Sequence, residues 1–378
     1  MLTRIKDIGI VGTGTTPSMK NTEYYESNDV CFVKPGDIFD NKISYISNSN
    51  SYISNKAKEA ARLFSKETVL CVCIGSIGKI AITAKECACN QQINYITNII
   101  NHDPLFIAYS LKSRINELLS IGKDSPIVPI VNKSRFENIL IPTFSLEKER
   151  EIGKELNMLQ HMINTLERNV IEYDNLIKSR FNELFGDPLL NEKRFPTEKL
   201  SSACPFNVYK GDVDTIDGKV WLLNLDMIES NTGVILNKLY VDIAEVGNSV
   251  IKFDNDCVLY SKLRPYLNKV VVSYGSGYAS SELVYMKTGK RIKKEFLANL
   301  LRTKSFVDYI DSKSGGAKMP RASMDFLRNF SLIIPPENLQ EQFVAFVNQI
   351  DKSKFVVQQQ IRDLKELLDK KMDEYFGG

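Results

Sequence analysis

The chain of 378 residues is 43% hydrophobic and 25% charged, a length and composition that can bury two ordinary cores. No charged-then-apolar leader follows Met1-Leu2-Thr3-Arg4, and no apolar run approaches the roughly 18 residues of a membrane span; this argues against secretion and membrane insertion and for a cytoplasmic protein. The formal net charge of +3 is unevenly divided: residues 1–145 carry +3 and 188–336 carry +5, whereas 146–187 and 337–378 carry −3 and −2, as suits domains that touch phosphate joined by a spacer that does not.

An apolar strand signal opens the first segment and leads into GTGTTPSMKNTEYY, Gly12 to Tyr25. Glycine lets the backbone turn tightly and expose amides, while Thr15, Thr16 and Lys20 offer hydroxyl and ammonium donors. The Gly-x-x-x-x-Gly-Lys-Ser/Thr spacing of a P-loop is absent, so a phosphate cradle and a plain surface loop both stay open. An extended run, VCFVKPGDI, comes next, followed by the strand TVLCVCI, a turn at Gly75 and Gly78, and the strand KIAIT. In CNQQINYI, the amides of Asn90, Gln91 and Gln92 can each donate and accept, as side chains that read adenine in the major groove do; strand capping is the alternative. A short helix, PLFIAYSLKSRINELLS, then the loop GKDSPIVPIVNKS with Lys123 and Ser125, and a last strand, ENILIP, complete the segment.

From Leu146 to Asp187 the apolar positions Ile152, Leu156, Leu159, Ile163, Leu166, Val170, Tyr173 and Ile177 step by alternating fours and threes, the 3.5-residue period of a coiled-coil seam. The C-terminus repeats this seam as Phe343, Val347, Ile350, Lys354, Val357, Ile361, Leu364 and Leu368, each 191 residues further on. The endings match as well, Glu183-Leu184-Phe185-Gly186 against Glu374-Tyr375-Phe376-Gly377, with a Gly stop in both. The entries agree too, NILIP ending at Pro142 and SLIIP ending at Pro335.

The segment between the helices follows the same outline with other residues. DCVLYSKLRPYLNKVVVSY stands for ETVLCVCIGSIGKIAIT, SSELVYM for CNQQINYI, and FLANLLRTKSFVDYIDSKSGGAKMPR for the first helix and loop. The frame is repeated while the polar loop residues differ, as in a duplicated binding module with two ligands. A helix from about Arg150 to Phe185 is about 54 Å long, and the link from Gly186 to Pro196 spans at most about 36 Å. The second segment therefore starts near the far end of the first helix, and if its ends lie close together the second helix runs back. The expected fold class is mixed α/β (α+β): two mixed domains separated by a long antiparallel two-helix coiled coil, with a pseudo-twofold internal repeat. Its parts are 1–145, 146–187, 188–336 and 337–378.

Cys31, Cys71, Cys73, Cys87, Cys89, Cys204 and Cys257 include two Cys-x-Cys pairs. Zinc knuckles usually space their ligands by about two to four residues, and VLCVCIG has the pattern of a strand, so buried free thiols in a reducing compartment are expected and no metal site is.

Taken in order, the GTTPSMKNTEYY loop, NQQI at 90–93, RPYLNKV from Arg264, SSELV from Ser280 and the IP-then-coiled-coil entries ending in ELFGD and EYFGG resemble the DNA specificity subunit of type I restriction-modification systems, over essentially the whole chain. The resemblance implies that 1–145 and 188–336 are target recognition domains, each reading one half of a split double-stranded DNA site. It also implies that the helices set the spacing and dock two methyltransferase (modification) subunits, with motor-nuclease (restriction) subunits joining for cleavage. S-adenosylmethionine, ATP and Mg²⁺ would then sit on the partner subunits, with no cofactor in this chain. Candidate DNA contacts are Thr15, Thr16, Lys20, Asn90, Gln91, Gln92, Lys123 and Ser125 in the first domain, and Lys262, Arg264, Ser280, Ser281, Lys318 and Arg321 in the second. One departure is that NVYKGDVDTIDGKVWLL replaces the Gly-Thr-Thr-Pro loop in the second domain.

The residues agree with a non-catalytic role. An amino-methyltransferase needs an Asn/Asp-Pro-Pro-aromatic motif, and the only Pro-Pro, Pro335-Pro336, is followed by Glu337. Of the two histidines, His102 and His161, the second sits beside the seam. Two rival classes remain: a self-contained Mg²⁺-dependent nuclease using Asp37 or Asp40, the latter followed by Asn41-Lys42, and a coiled-coil adaptor that does not bind DNA.

Overall fold

A computed structural model describes residues 2–40, 42–123, 129–206, 209–315 and 318–377. The chain divides into two compact units, 1–167 with 359–378, and 168–358. Two helices of 40 residues, Leu146–Phe185 and Glu337–Phe376, each contribute a part to both units.

In the first unit the β-branched runs form a five-stranded sheet ordered Ile10–Thr13, Ile93–Thr97, Val69–Val72, Ile80–Thr83, Ser44–Ile46. Three of its strands are buried at every residue, which explains why they lack hydrophobic alternation. Val30–Val33 pairs in parallel with Cys87–Cys89 and antiparallel with Tyr52–Ile53 in a second sheet. Helix Pro104–Ser113 packs on the first sheet, capped by Asp103, whose carboxylate accepts from the Phe106 N–H at 2.9 Å. The predicted single helix is interrupted at Arg114 and resumes as Ile115–Lys123.

The second unit repeats the plan. Cys257–Ser261 lies between Val270–Val272 and Leu283–Lys287, both antiparallel, as Val69–Val72 lies between Ile80–Thr83 and Ile93–Thr97. Lys219–Leu223 pairs in parallel with Gly277–Ser280, as Val30–Val33 does with Cys87–Cys89. In each unit the first and last strands meet antiparallel just before the long helix: Leu2–Arg4 with Leu140–Pro142, and Thr197–Lys199 with Ser331–Ile333.

Both cores are closed by the long helices. In the first unit Ile152 and Leu156 join a cluster with Phe106, Ile141 and Phe376. In the second, Phe181 and Phe185 stack among Phe296 and Phe343. At about 1.5–3 kcal/mol for each large apolar side chain buried, these helix ends belong energetically to the globular parts.

Within each unit the two helix segments run antiparallel. In the first, Glu155 meets Lys371 at 3.4 Å and Glu167 meets Lys365 at 2.8 Å; in the second, Asp174 pairs with Lys354. None of the sixteen seam residues is exposed, and Lys354, the one charged residue among them, is neutralised by Asp174.

The first turn of each long helix is fastened by an equivalent buried side chain. Glu149, 0% exposed, accepts hydrogen bonds from the Asp103 N–H at 3.0 Å and the Phe144 N–H at 3.2 Å, and lies 2.9 Å from His102 Nδ1. Gln340, also 0% exposed and 191 residues later, accepts from the Lys293 N–H at 3.0 Å and donates to the Arg291 and Pro335 carbonyls. Pro335-Pro336 is therefore the entry to a helix.

Candidate nucleic-acid interface

In the first unit the two loops singled out by sequence come together. The Gly14 N–H donates to the Ile93 carbonyl and the Thr15 N–H to the Cys89 carbonyl, both at 3.0 Å. A side chain at position 14 would clash with the Asn90 carbonyl, to which an added Cβ would lie at 2.2 Å, so the approach requires glycine. Thr16 Oγ1 then donates to Gln91 Oε1 at 2.6 Å, and Asn90 Nδ2 donates to Gln92 Oε1 at 2.8 Å. Thr16 and Gln91 are exposed, whereas Asn90 is buried and serves to hold Gln92. Lys20 is exposed on the same loop, beyond Pro17, whose carbonyl accepts from the Tyr25 hydroxyl at 2.7 Å. The Lys123 side chain and Ser125 lie outside the described residues.

In the second unit Lys262, Arg264, Ser280, Ser281 and Arg321 converge. The Arg264 N–H donates to the Pro320 carbonyl at 2.7 Å, the Lys262 N–H to the Glu282 carbonyl at 3.0 Å, and the Ala322 N–H to the Lys262 carbonyl at 2.8 Å. Ser280 Oγ accepts from the Glu282 N–H at 3.3 Å and the Ser281 N–H donates to the Ser249 carbonyl at 3.1 Å. Arg321 forks onto Glu282, Nη2 to Oε1 at 2.8 Å and Nε to Oε2 at 3.4 Å. Lys318 is exposed on the adjoining loop.

The first three of these backbone hydrogen bonds duplicate those of the first unit at offsets of 189 to 191 residues. There the Gly75 N–H donates to the Pro129 carbonyl at 3.2 Å, the Cys73 N–H to the Gln92 carbonyl at 2.8 Å, and the Val131 N–H to the Cys73 carbonyl at 2.8 Å. The turn is shared as well: Gly75 and Gly78 have φ of +78° and +91°, and the equivalent Arg264 and Asn268 are both at +50°. A non-glycine residue held left-handed costs about 1–3 kcal/mol and clusters at functional sites. One backbone frame thus carries Cys73, Gly75, Gln92 and Ile130 in the first unit, and Lys262, Arg264, Glu282 and Arg321 in the second.

Sequence reasoning missed Glu282 and Ile130, because neither stands out until the two frames are superposed bond by bond. It also missed Arg62, whose guanidinium donates to the Thr13 carbonyl at 3.2 Å from a left-handed backbone at φ +51°. The nuclease candidates have other employment. Asp37 accepts from the Lys34 N–H at 2.8 Å and from the Asn50 N–H and side chain at 2.9 and 2.8 Å, and Asp40 pairs with Lys79 at 3.2 Å. Asn41 lies outside the described residues. Among the described residues no group of three or more His, Cys, Asp or Glu is placed to hold a metal ion, and no helix is long and apolar enough to cross a membrane.

A duplicated α/β fold that presents different side chains from one repeated frame has the form of a binding module made twice. Residues 1–173 and 229–366 match the type I restriction modification DNA specificity domain; the chain belongs to that family and is a DNA-binding specificity subunit. It is 24% identical to the type I restriction enzyme MjaIX specificity subunit of Methanocaldococcus jannaschii, over 97% of this chain and 90% of that one. It is also 28% identical to the HindI specificity subunit of Haemophilus influenzae, over 38% of this chain and 31% of that one. The fold is shared with the crystal structure of the S subunit from M. genitalium, at a TM-score of 0.60 and 13% identity over all of this chain and 96% of that one. A chain from a structural study of complex assembly and conformational transition in the type I R-M system gives 0.58 at 14% identity, over all of this chain and 97% of that one.

Proposed function

We propose that each unit reads one half of a bipartite double-stranded DNA site, and that the chain itself catalyses nothing. The observation that carries this reading is the repeated loop frame, which shares its central backbone hydrogen bonds and differs in the side chains it presents. A module duplicated to read two different sequences needs that combination.

The recognition domains of this scheme are 1–145 and 188–336, and the helical stretches 146–187 and 337–378 set the gap between the half-sites. The helices also dock two methyltransferase subunits, with motor-nuclease subunits joining for cleavage. S-adenosylmethionine, ATP and Mg²⁺ belong to those partners. Support for docking comes from apolar side chains that the helices leave exposed: Met158 and Met162 in the first unit, and Ile171, Leu176, Phe355 and Val356 in the second. Exposed apolar side chains of this kind are available to a docking partner.

The test is reconstitution. The purified chain is expected neither to methylate nor to cut DNA, and to direct methylation to one split sequence once the methyltransferase subunit is added. Methyl transfer or cutting by the isolated chain would refute the reading.

A further inference from the structure

We propose that one pair of equivalent positions in each unit reads a single base pair in the major groove: Glu282 with Arg321 reads C·G, and Gln92 with Ile130 reads A·T. This rests on the DNA-reading function proposed above and assigns chemistry to two positions within it.

The equivalence is set by the backbone. Gln92 and Val131 flank Cys73 through its N–H and carbonyl, and Glu282 and Ala322 flank Lys262 through the same two groups. The neighbouring bridges correspond too, Ile74 with Ile130 and Leu263 with Arg321. Two positions on the extended segments either side of a shared central one therefore recur, one filled by Gln or Glu and the other by Ile or Arg.

The fillings are complementary to different base pairs. In the major groove C·G presents the cytosine N4 amino donor beside the guanine O6 and N7 acceptors. Glu282 accepts only, Arg321 donates only, and their fork places them side by side with side chains 25% and 58% exposed. The carboxylate would take the cytosine amino group and the guanidinium the two guanine acceptors. A thymine methyl in their place would face a charged edge.

A·T presents the adenine N6 donor and N7 acceptor, and the thymine O4 acceptor and methyl. Gln92 suits N6 and N7, and Asn90 Nδ2 fixes its orientation by donating to Oε1 at 2.8 Å, which leaves a second Oε1 lone pair for N6 and the amide NH₂ for N7. Ile130, 38% exposed, supplies the apolar contact for the methyl. An exposed ion pair contributes little to stability, so exchanging these residues tests recognition rather than folding.

The experiment uses the full chain assembled with its methyltransferase subunit, profiled by methylome sequencing and by competition binding with duplexes changed at single base pairs. E282Q/R321I is expected to reduce selectivity for C·G over A·T at one position of one half-site by roughly tenfold to a hundredfold, leaving the other half-site unchanged. Q92E/I130R should shift one position of the other half-site from A·T toward C·G. Folding of E282Q/R321I is followed by Trp221 fluorescence and that of Q92E/I130R, in the other unit, by circular dichroism melting; the isosteric E282Q alone reports the same position if the double variant does not fold. Unchanged selectivity in folded variants, or a loss spread evenly over all positions, overturns the assignment. Failure of the wild-type complex to recognise any specific sequence would instead overturn the underlying function.

Discussion

Replacing Phe185 with alanine removes the ring around which the core of the second unit closes. Phe185 is 0% exposed, and its ring centroid lies 5.0 Å from Phe181, 4.7 Å from Phe296, 5.5 Å from Phe343 and 6.4 Å from Phe195. Phe-to-Ala changes in cores cost about 3–5 kcal/mol. Four aromatic neighbours, each worth about 0.5–1.5 kcal/mol beyond burial, put this site at the top of that range, about 5 kcal/mol. The chain has one tryptophan, Trp221, 4% exposed within the same unit, so its fluorescence reports the transition selectively. With a urea dependence of about 2 kcal/mol/M, the midpoint should fall by about 2.5 M. F185L, which keeps apolar volume but loses ring geometry, should cost about half as much. A fall below about 0.5 M for F185A, or equal shifts for the two variants, would show that the aromatic cluster does not hold the helix to the domain.

Glu149→Ala strands the Asp103 and Phe144 N–H groups beside a vacated buried site and is expected to destabilise by about 3–5 kcal/mol; Glu149→Gln should cost less, since Gln340 fills the equivalent position, and calorimetric melting compares them. The Tyr375 hydroxyl, donating at 2.7 Å, is the largest cause of the lowered pKa of Glu155, with Lys371 assisting. A lowered carboxylate contributes stability that is present above the ordinary glutamate range and lost as pH falls through the lowered value, so Tyr375→Phe should shrink the acid-induced loss of stability below pH about 4.5, measured by urea titration across pH. Inserting one heptad after Leu166 and one after Val357, both seam positions, should lengthen each helix by about 10.5 Å and widen the gap in the methylated sequence by about three base pairs, with both halves unaltered; an unchanged gap with retained activity would mean that the helices do not set it.

The helical repeat was legible because a 3.5-residue period is local: Ile152 and Phe343 announce their environment through neighbours three and four residues away. The strand runs TVLCVCI and KIAIT were legible for a related reason, since burial on both faces leaves continuous apolar stretches. Sheet order was not, because the pairing of Ile10–Thr13 with Ile93–Thr97 joins residues some eighty positions apart. The meeting of Thr16 with Gln91 was foreseen only as two separate polar loops. Arg321 is legible in the sequence as a candidate DNA contact, but its fork onto Glu282, a partner set by tertiary position, is not. Nothing in the local sequence marks Arg264 as left-handed either; that follows from the turn it shares with Gly75.

The buried cysteines also govern how the chain meets electrophiles. All seven are free and buried, and burial pushes the thiols of Cys87, Cys204 and Cys257 up to about 12 and raises those of Cys71 and Cys89 as well, the former chiefly through its hydrogen bond with Cys73. Since the thiolate is the reactive form, a thiol titrating near 12 is ionised to only about one part in ten thousand at pH 8. Burial also keeps all seven thiols out of reach of maleimides and iodoacetamide in the folded state, so a single cysteine placed on an exposed loop is expected to be labelled over a low background without removing any of them.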